Sequence, residues 1–145
     1  MKLKRLELQA AGAPCSVAGA LFEADIEALA DAGVKTIINN RPDGEDPGQF
    51  PAGEARALAE RLGIAYRHIP VTTQSLKRAD VEAFAAALGA APRPIVAHCR
   101  SGTRSALLWA LVSLSEGAEP YSLVAEAARH GIDLTNLPVV AARVL

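Results

Sequence analysis

Residues 92–115 constrain this chain more than any other stretch. Ile95-Val96-Ala97 is a short apolar run without alternation, set behind Pro92-Arg93-Pro94. Such a run suits a strand buried on both faces of a parallel sheet. Ser105 to Ser115 carries Leu107, Leu108, Trp109, Leu111, Val112 and Leu114, apolar on nearly every side. That is the pattern of a buried helix. Between strand and helix lies His98-Cys99-Arg100-Ser101-Gly102-Thr103-Arg104-Ser105. The order puts Cys99 at the carboxyl end of a buried strand and beneath a helix N-terminus, where open α/β sheets bind ligands.

The rest of the chain alternates in the same way. Leu3 to Leu8 alternates apolar and polar, as a half-buried strand does. Ala24 to Ala32 reads as a helix stopped by Gly33, and Val34 to Asn39 as a β-branched strand. Asn40 to Gly48 is dense in turn formers and reads as a loop. A helix is expected over Ala52 to Leu62, a strand over Ile64 to Ile69 and a loop over Pro70 to Lys77. Helices follow at Asp80 to Leu88, stopped by Gly89, and at Tyr121 to Arg129. The expected fold is α/β, a central, mostly parallel sheet with helices on both faces. At 145 residues, with no linker or repeat, residues 1–145 are expected to form one catalytic domain.

Charge excludes several classes of partner. The 15 Lys and Arg nearly cancel the 16 Asp and Glu, which argues against nucleic acid and anionic membrane surfaces. No stretch is apolar enough to span a bilayer, and Glu7 and Gln9 interrupt any signal-peptide core, so a cytoplasmic protein is expected. The two cysteines, Cys15 and Cys99, allow one disulfide, which a cytosolic setting disfavours. Cys15 has no charge or Gly-rich loop beside it and reads as a small packed residue. His68, His98 and His130 are far apart and form no ligand pair, so neither a metal nor a cofactor is expected.

The cysteine loop carries the chemistry. A helix start offers unpaired N–H groups and the positive end of the dipole. Gly102 lets the backbone turn so that successive N–H groups face inward as an anion nest. Arg100 and Arg104 add two fixed positive charges. Such surroundings favour a thiolate, the nucleophile that covalent catalysis needs. Cys99 and Arg104 are therefore the expected catalytic pair. Arg100, Ser101, Gly102, Thr103 and Ser105 are expected to hold the substrate anion. Arg104 can grip it by two parallel hydrogen bonds. Ser105 can donate to the cysteine sulfur or cap the helix, and Thr103 can cap instead. His98 is expected to point away from the pocket and order the loop by a hydrogen bond, and His68 to be structural.

Three segments together carry a resemblance. They are Asn40-Arg41-Pro42-Asp43-Gly44-Glu45, Tyr66-Arg67-His68-Ile69-Pro70-Val71 and His98 to Ser105. The chain resembles the beta-lactamase hydrolase-like protein, phosphatase-like family over about Leu3 to Leu137. The resemblance implies a dual-specificity-phosphatase-like fold. Some members of that family are fused to a persulfide dioxygenase, so it also implies sulfur chemistry and a dioxygenase as a possible partner.

Two details bear on the reaction. Cysteine phosphatases keep five residues between Cys and Arg, and rhodanese sulfurtransferases four. Cys99 and Arg104 are separated by four. A tighter ring has less room for the three equatorial oxygens of a phosphoryl group in transfer and suits a persulfide sulfur. Dual-specificity phosphatases also place an acidic Asp shortly after the Ile-Pro pair, whereas here Val71-Thr72-Thr73-Gln74 follows. Asp43 could substitute as the acid, or could simply shape its turn. Arg41 could line the anion site or form a local salt bridge. The expectation is a sulfurtransferase working through a Cys99 persulfide on a small anionic sulfur donor. The alternative is a phosphatase, a protein-tyrosine- or dual-specificity-like hydrolase of phosphomonoesters working through a Cys99 phosphocysteine. A non-catalytic anion or redox sensor built on the same thiolate is a further alternative.

Overall fold

Five short strands and six helices are found among the residues that the computed structural model describes, 1–6 and 14–145. In chain order they are β1 (Lys4–Leu6), β2 (Cys15–Ala18), α1 (Glu23–Asp31), β3 (Thr36–Asn39), α2 (Ala52–Arg61) and β4 (Ala65–His68). Then come α3 (Arg78–Ala90), β5 (Ile95–His98), α4 (Thr103–Ser115), α5 (Pro120–Arg129) and α6 (Leu137–Val144). They build one mixed sheet in the order β1-β2-β5-β3-β4, parallel except for β1, which runs antiparallel to β2.

The expected architecture is present, with β5 at the centre and buried along its whole length. Alternation along β5 feeds two cores. Ile95 and Ala97 face the helices α3 to α6, and Val96 faces α1 and α2. Helix α4 packs on β2 and β5, and nine of its residues are buried. Burying one large apolar side chain such as Leu108 or Leu111 is worth roughly 1.5–3 kcal/mol. This helix therefore fixes the floor on which Cys99 stands.

Four elements differ from the expectation. Strand β1 starts at Lys4 rather than Leu3, and Glu7 and Leu8 of the expected span lie outside the described residues. Strand β2 was not expected, because Cys15-Ser16-Val17-Ala18 lacks a β-branched run. Its place between β1 and β5 supplies the pairing instead. Helix α3 continues through Gly89 to Ala90, where an exposed glycine costs only roughly 0.5–1 kcal/mol. Helix α6 was also not expected. It opens on Leu137-Pro138, and Pro in a first turn starts a helix rather than breaking one.

Candidate active site

Four loops meet at the carboxyl edge of the sheet, and the one after β5 carries Cys99. Cys99 is fully buried, and its backbone N–H donates to Ala18 O of β2 at 3.3 Å. Arg100 O accepts from Ala20 N at 3.1 Å, so the β2–α1 turn lies directly against the cysteine loop. Gly19 permits that approach, since a Cβ there would stand 3.1 Å from Arg100 O. Gly102 turns the chain into α4 with φ +95°, a region that L side chains rarely adopt. The turn aims the Gly102 N–H at Cys99 Sγ, 3.1 Å away. The first N–H groups of α4 follow it with no carbonyl behind them.

Gly102 is itself the N-cap of α4, with no side-chain cap. Thr103 Oγ1 instead accepts from Ser101 Oγ at 3.3 Å, and both residues are exposed. Ser105 is fully buried, and its hydroxyl donates to Asn40 Oδ1 at 2.8 Å rather than to the sulfur. Ser105 thus ties the helix to the residue that follows β3.

Asn40 was expected in a loop and in one of the segments that carry the resemblance, with no role of its own, yet it joins three segments. Its N–H donates to His98 O, its Nδ2 to Ile69 O, and its carbonyl accepts from Val71 N. With Ser105 on Oδ1, each of its four polar groups is engaged. Its turn-forming character and its place in that segment were its signals in the sequence.

Arg104 lies over the site, and Glu45 holds it by both carboxylate oxygens. Nη1 donates to Glu45 Oε2 at 2.7 Å and to Val71 O at 2.8 Å, and Nη2 donates to Glu45 Oε1 at 2.8 Å. A guanidinium has five N–H donors. The two that remain are Nε–H and one on Nη2, which lie on one edge of the fork. The Glu45 bonds raise the Arg104 pKa, burial opposes them, and the charge of nearby Cys99 adds to the rise.

Arg41 is 5% exposed and makes local ion pairs. Nε reaches Glu45 at 3.0 Å and Nη2 reaches Asp46 at 2.6 Å. Asp46 also takes Arg100 Nε at 3.0 Å at the exposed rim. Glu45 and Asp46 were both missed by sequence reasoning, which looked for a carboxylate after Ile69-Pro70. Arg104 holds the Glu45 carboxyl below the usual carboxylate range, burial opposes this, and Arg41 reinforces it. Asp43 is exposed, and its Oδ1 accepts from Ala52 N at the start of α2. It fastens loop to helix.

His68 and His98 flank Asn39 across the sheet. His68 Nε2 donates to Arg41 O at 2.9 Å. His98 continues the face of Val96, turned to α1 and α2, away from α4. Its Nδ1 is buried with no well-formed hydrogen bond, and the ring's contact with the loop is the backbone of Cys99. Burial pushes the ring down to about 4, with Arg41 and His68 acting in the same direction against the Cys99 backbone. Cys15 is fully buried, and burial pushes its thiol up to about 12. The β2–β5 register sets Gly19, not Cys15, beside Cys99. Four residues of strand, about 13 Å, separate the two thiols along the sheet, which excludes a bridge between them.

Residues 7–116 match the model of the family described as Beta-lactamase hydrolase-like protein, phosphatase-like domain. The chain belongs to this family. A beta-lactamase hydrolase-like protein from Agrobacterium fabrum is 37% identical over 120 residues, 82% of this chain and 28% of that protein. The chain thus spans little more than a quarter of that relative's length. Among solved structures, a Neisseria meningitidis protein described as a candidate phosphatase superposes with TM-score 0.80 and 33% identity. The match covers 94% of this chain and 96% of that one. Kinase-associated phosphatase, solved with serine in place of its catalytic cysteine, superposes with TM-score 0.70 over 94% of this chain and 89% of its own. At 19% identity it shows the fold alone. Members of the beta-lactamase hydrolase-like phosphatase family therefore share the scaffold of cysteine phosphatases. The family description and both solved structures carry the word phosphatase, whereas loop length raised the expectation of sulfur chemistry.

Proposed function

We propose that this domain is a cysteine-dependent phosphatase acting on phosphomonoesters through a phosphocysteine at Cys99. The observation that carries the reading is the aim of the Gly102 N–H at Cys99 Sγ, 3.1 Å away, under the start of α4. The same donors that hold the sulfur anion can hold phosphoryl oxygens, and the open edge of Arg104 adds two more. Sγ attacks phosphorus, the bond to the leaving oxygen breaks, and water then cleaves the phosphocysteine to phosphate and thiolate. Arg41, Glu45 and Asp46 serve to fix Arg104 and Arg100. The test is hydrolysis of p-nitrophenyl phosphate by the wild type and by Cys99→Ser. Turnover by the wild type, with a phosphorylated Cys99 peptide on rapid quench, supports the reading. Equal turnover by Cys99→Ser removes Cys99 from the mechanism.

Sulfur transfer is retained as a second reading on one observation, the four-residue spacing from Cys99 to Arg104. In that case thiosulfate adds one sulfur to Cys99 and releases sulfite. Intact mass after incubation with thiosulfate separates the two reactions.

A further inference from the structure

The two carboxylates at the rim are both tied to arginines. Glu45 uses both oxygens on Arg104 and shares one with Arg41, and Asp46 takes Arg41 and Arg100 on a single oxygen. The oxygens that these carboxylates turn to the guanidinium groups act as acceptors and present no proton to a leaving group. The other nearby carboxylates are backbone acceptors at helix starts. Asp43 takes Ala52 N–H, and Asp80 takes Lys77 N–H.

The facing wall, residues 69–77, contains no carboxyl group. It is also tied in place. Val71 O accepts from Arg104. Thr72 and Ser75 bond to each other through their hydroxyls. Arg143 of α6 donates to Thr73 O and Leu76 O, both at 2.7 Å. His68 shares the sheet face of Tyr66, which belongs to the core under α2, whereas Ala97 beside Cys99 faces α4.

We infer that the site acts on phosphates whose leaving group departs as a stabilised anion: aryl phosphates, acyl phosphates and phosphoanhydrides, not simple alkyl esters. This rests on the phosphatase reading above. When Sγ bonds to phosphorus, the leaving oxygen takes the electron pair of the broken bond. An alkoxide needs a proton at that moment, and among the described residues no carboxyl group is placed to give one. A phenolate, carboxylate or phosphate is stable enough as an anion to leave without one. A proton donor is typically worth about 100-fold or more in rate, so its lack discriminates between these classes by a similar factor.

The experiment measures kcat/KM of the full chain for p-nitrophenyl, phenyl and simple alkyl phosphates and for acetyl phosphate. The expected result is a fall of about 100-fold or more from p-nitrophenyl to phenyl phosphate. Acetyl phosphate should be turned over and the alkyl ester should not. A rate independent of the leaving phenol's acidity overturns the inference and leaves the phosphatase reading intact. So does a shallow dependence that steepens in Asp43→Asn, which would make Asp43 the proton donor. Failure to hydrolyse even p-nitrophenyl phosphate removes the phosphatase reading and this inference with it.

Discussion

Glu45 holds Arg104 by two parallel ion-paired hydrogen bonds of 2.7 and 2.8 Å, and so decides which edge of the guanidinium faces the site. Both side chains are largely shielded, Arg104 at 15% and Glu45 at 21% exposure. Glu45→Gln keeps the size but loses the charge and one acceptor. Arg104 can then swing off its axis, and a misplacement of about 1 Å can cost about 100-fold in rate. We expect kcat to fall by about that factor with KM little changed, because Arg104 still supplies its charge. Steady-state kinetics on an aryl phosphate checks this. An unchanged kcat would show that Glu45 does not orient the arginine.

Asn40 joins β5, the wall of residues 69–77 and α4 through its four polar groups. Asn40→Ala leaves the Ser105 hydroxyl and Ile69 O without their partners. Each unsatisfied buried group costs about 1–3 kcal/mol. The expected outcome is a variant destabilised by about 2–5 kcal/mol in urea unfolding. Loss of less than about 1 kcal/mol would mean that water replaces the side chain.

Gly102 combines φ +95° with the N–H that faces Cys99 Sγ. A Cβ there meets no atom closer than 3.6 Å, so space is not the obstacle. The backbone conformation is, at about 1–2 kcal/mol for an L side chain. Gly102→Ala should lose about that much stability. It should lose far more activity, because relaxing φ turns the N–H away from the sulfur. Comparing thermal unfolding with kcat/KM on one preparation tests the split. A fully active variant would show that this N–H is not needed.

The readable parts of this molecule are contiguous in the chain. The Cys99 loop, β3 and α4 each declare themselves within about ten residues, by a Gly-containing anion loop, a β-branched run and an apolar helix. What supports the site is not contiguous. Glu45 reaches Arg104 across 59 residues, and Asn40 reaches Ser105 across 65. Sequence pattern carries no term for such pairs. A turn-rich stretch such as Asn40 to Gly48 reads as a surface connection even when it holds the site together. Strand β2 was hidden for a related reason. Its residues are indifferent to secondary structure, and only the neighbouring strands make it a strand.

The buried ring of His98 gives the fold a pH dependence whose direction follows from burial. Folded, the ring is pushed down to about 4, and unfolded, a histidine titrates near about 6.5. Between those values the unfolded chain carries a proton that the folded chain lacks. Stability therefore rises with pH across that window and is lost as pH falls from about 6.5 to about 4, by on the order of 3 kcal/mol in all. Below the window the His98 contribution is constant. Glu45, held below the usual carboxylate range, then continues the loss as it is protonated and releases Arg104. Urea midpoints of the wild type and of His98→Asn, followed from about pH 7 down to about pH 4, test this assignment. The wild type should lose stability throughout that range, and the variant should lose distinctly less above about pH 5. Equal slopes for the two proteins would place the titrating group elsewhere.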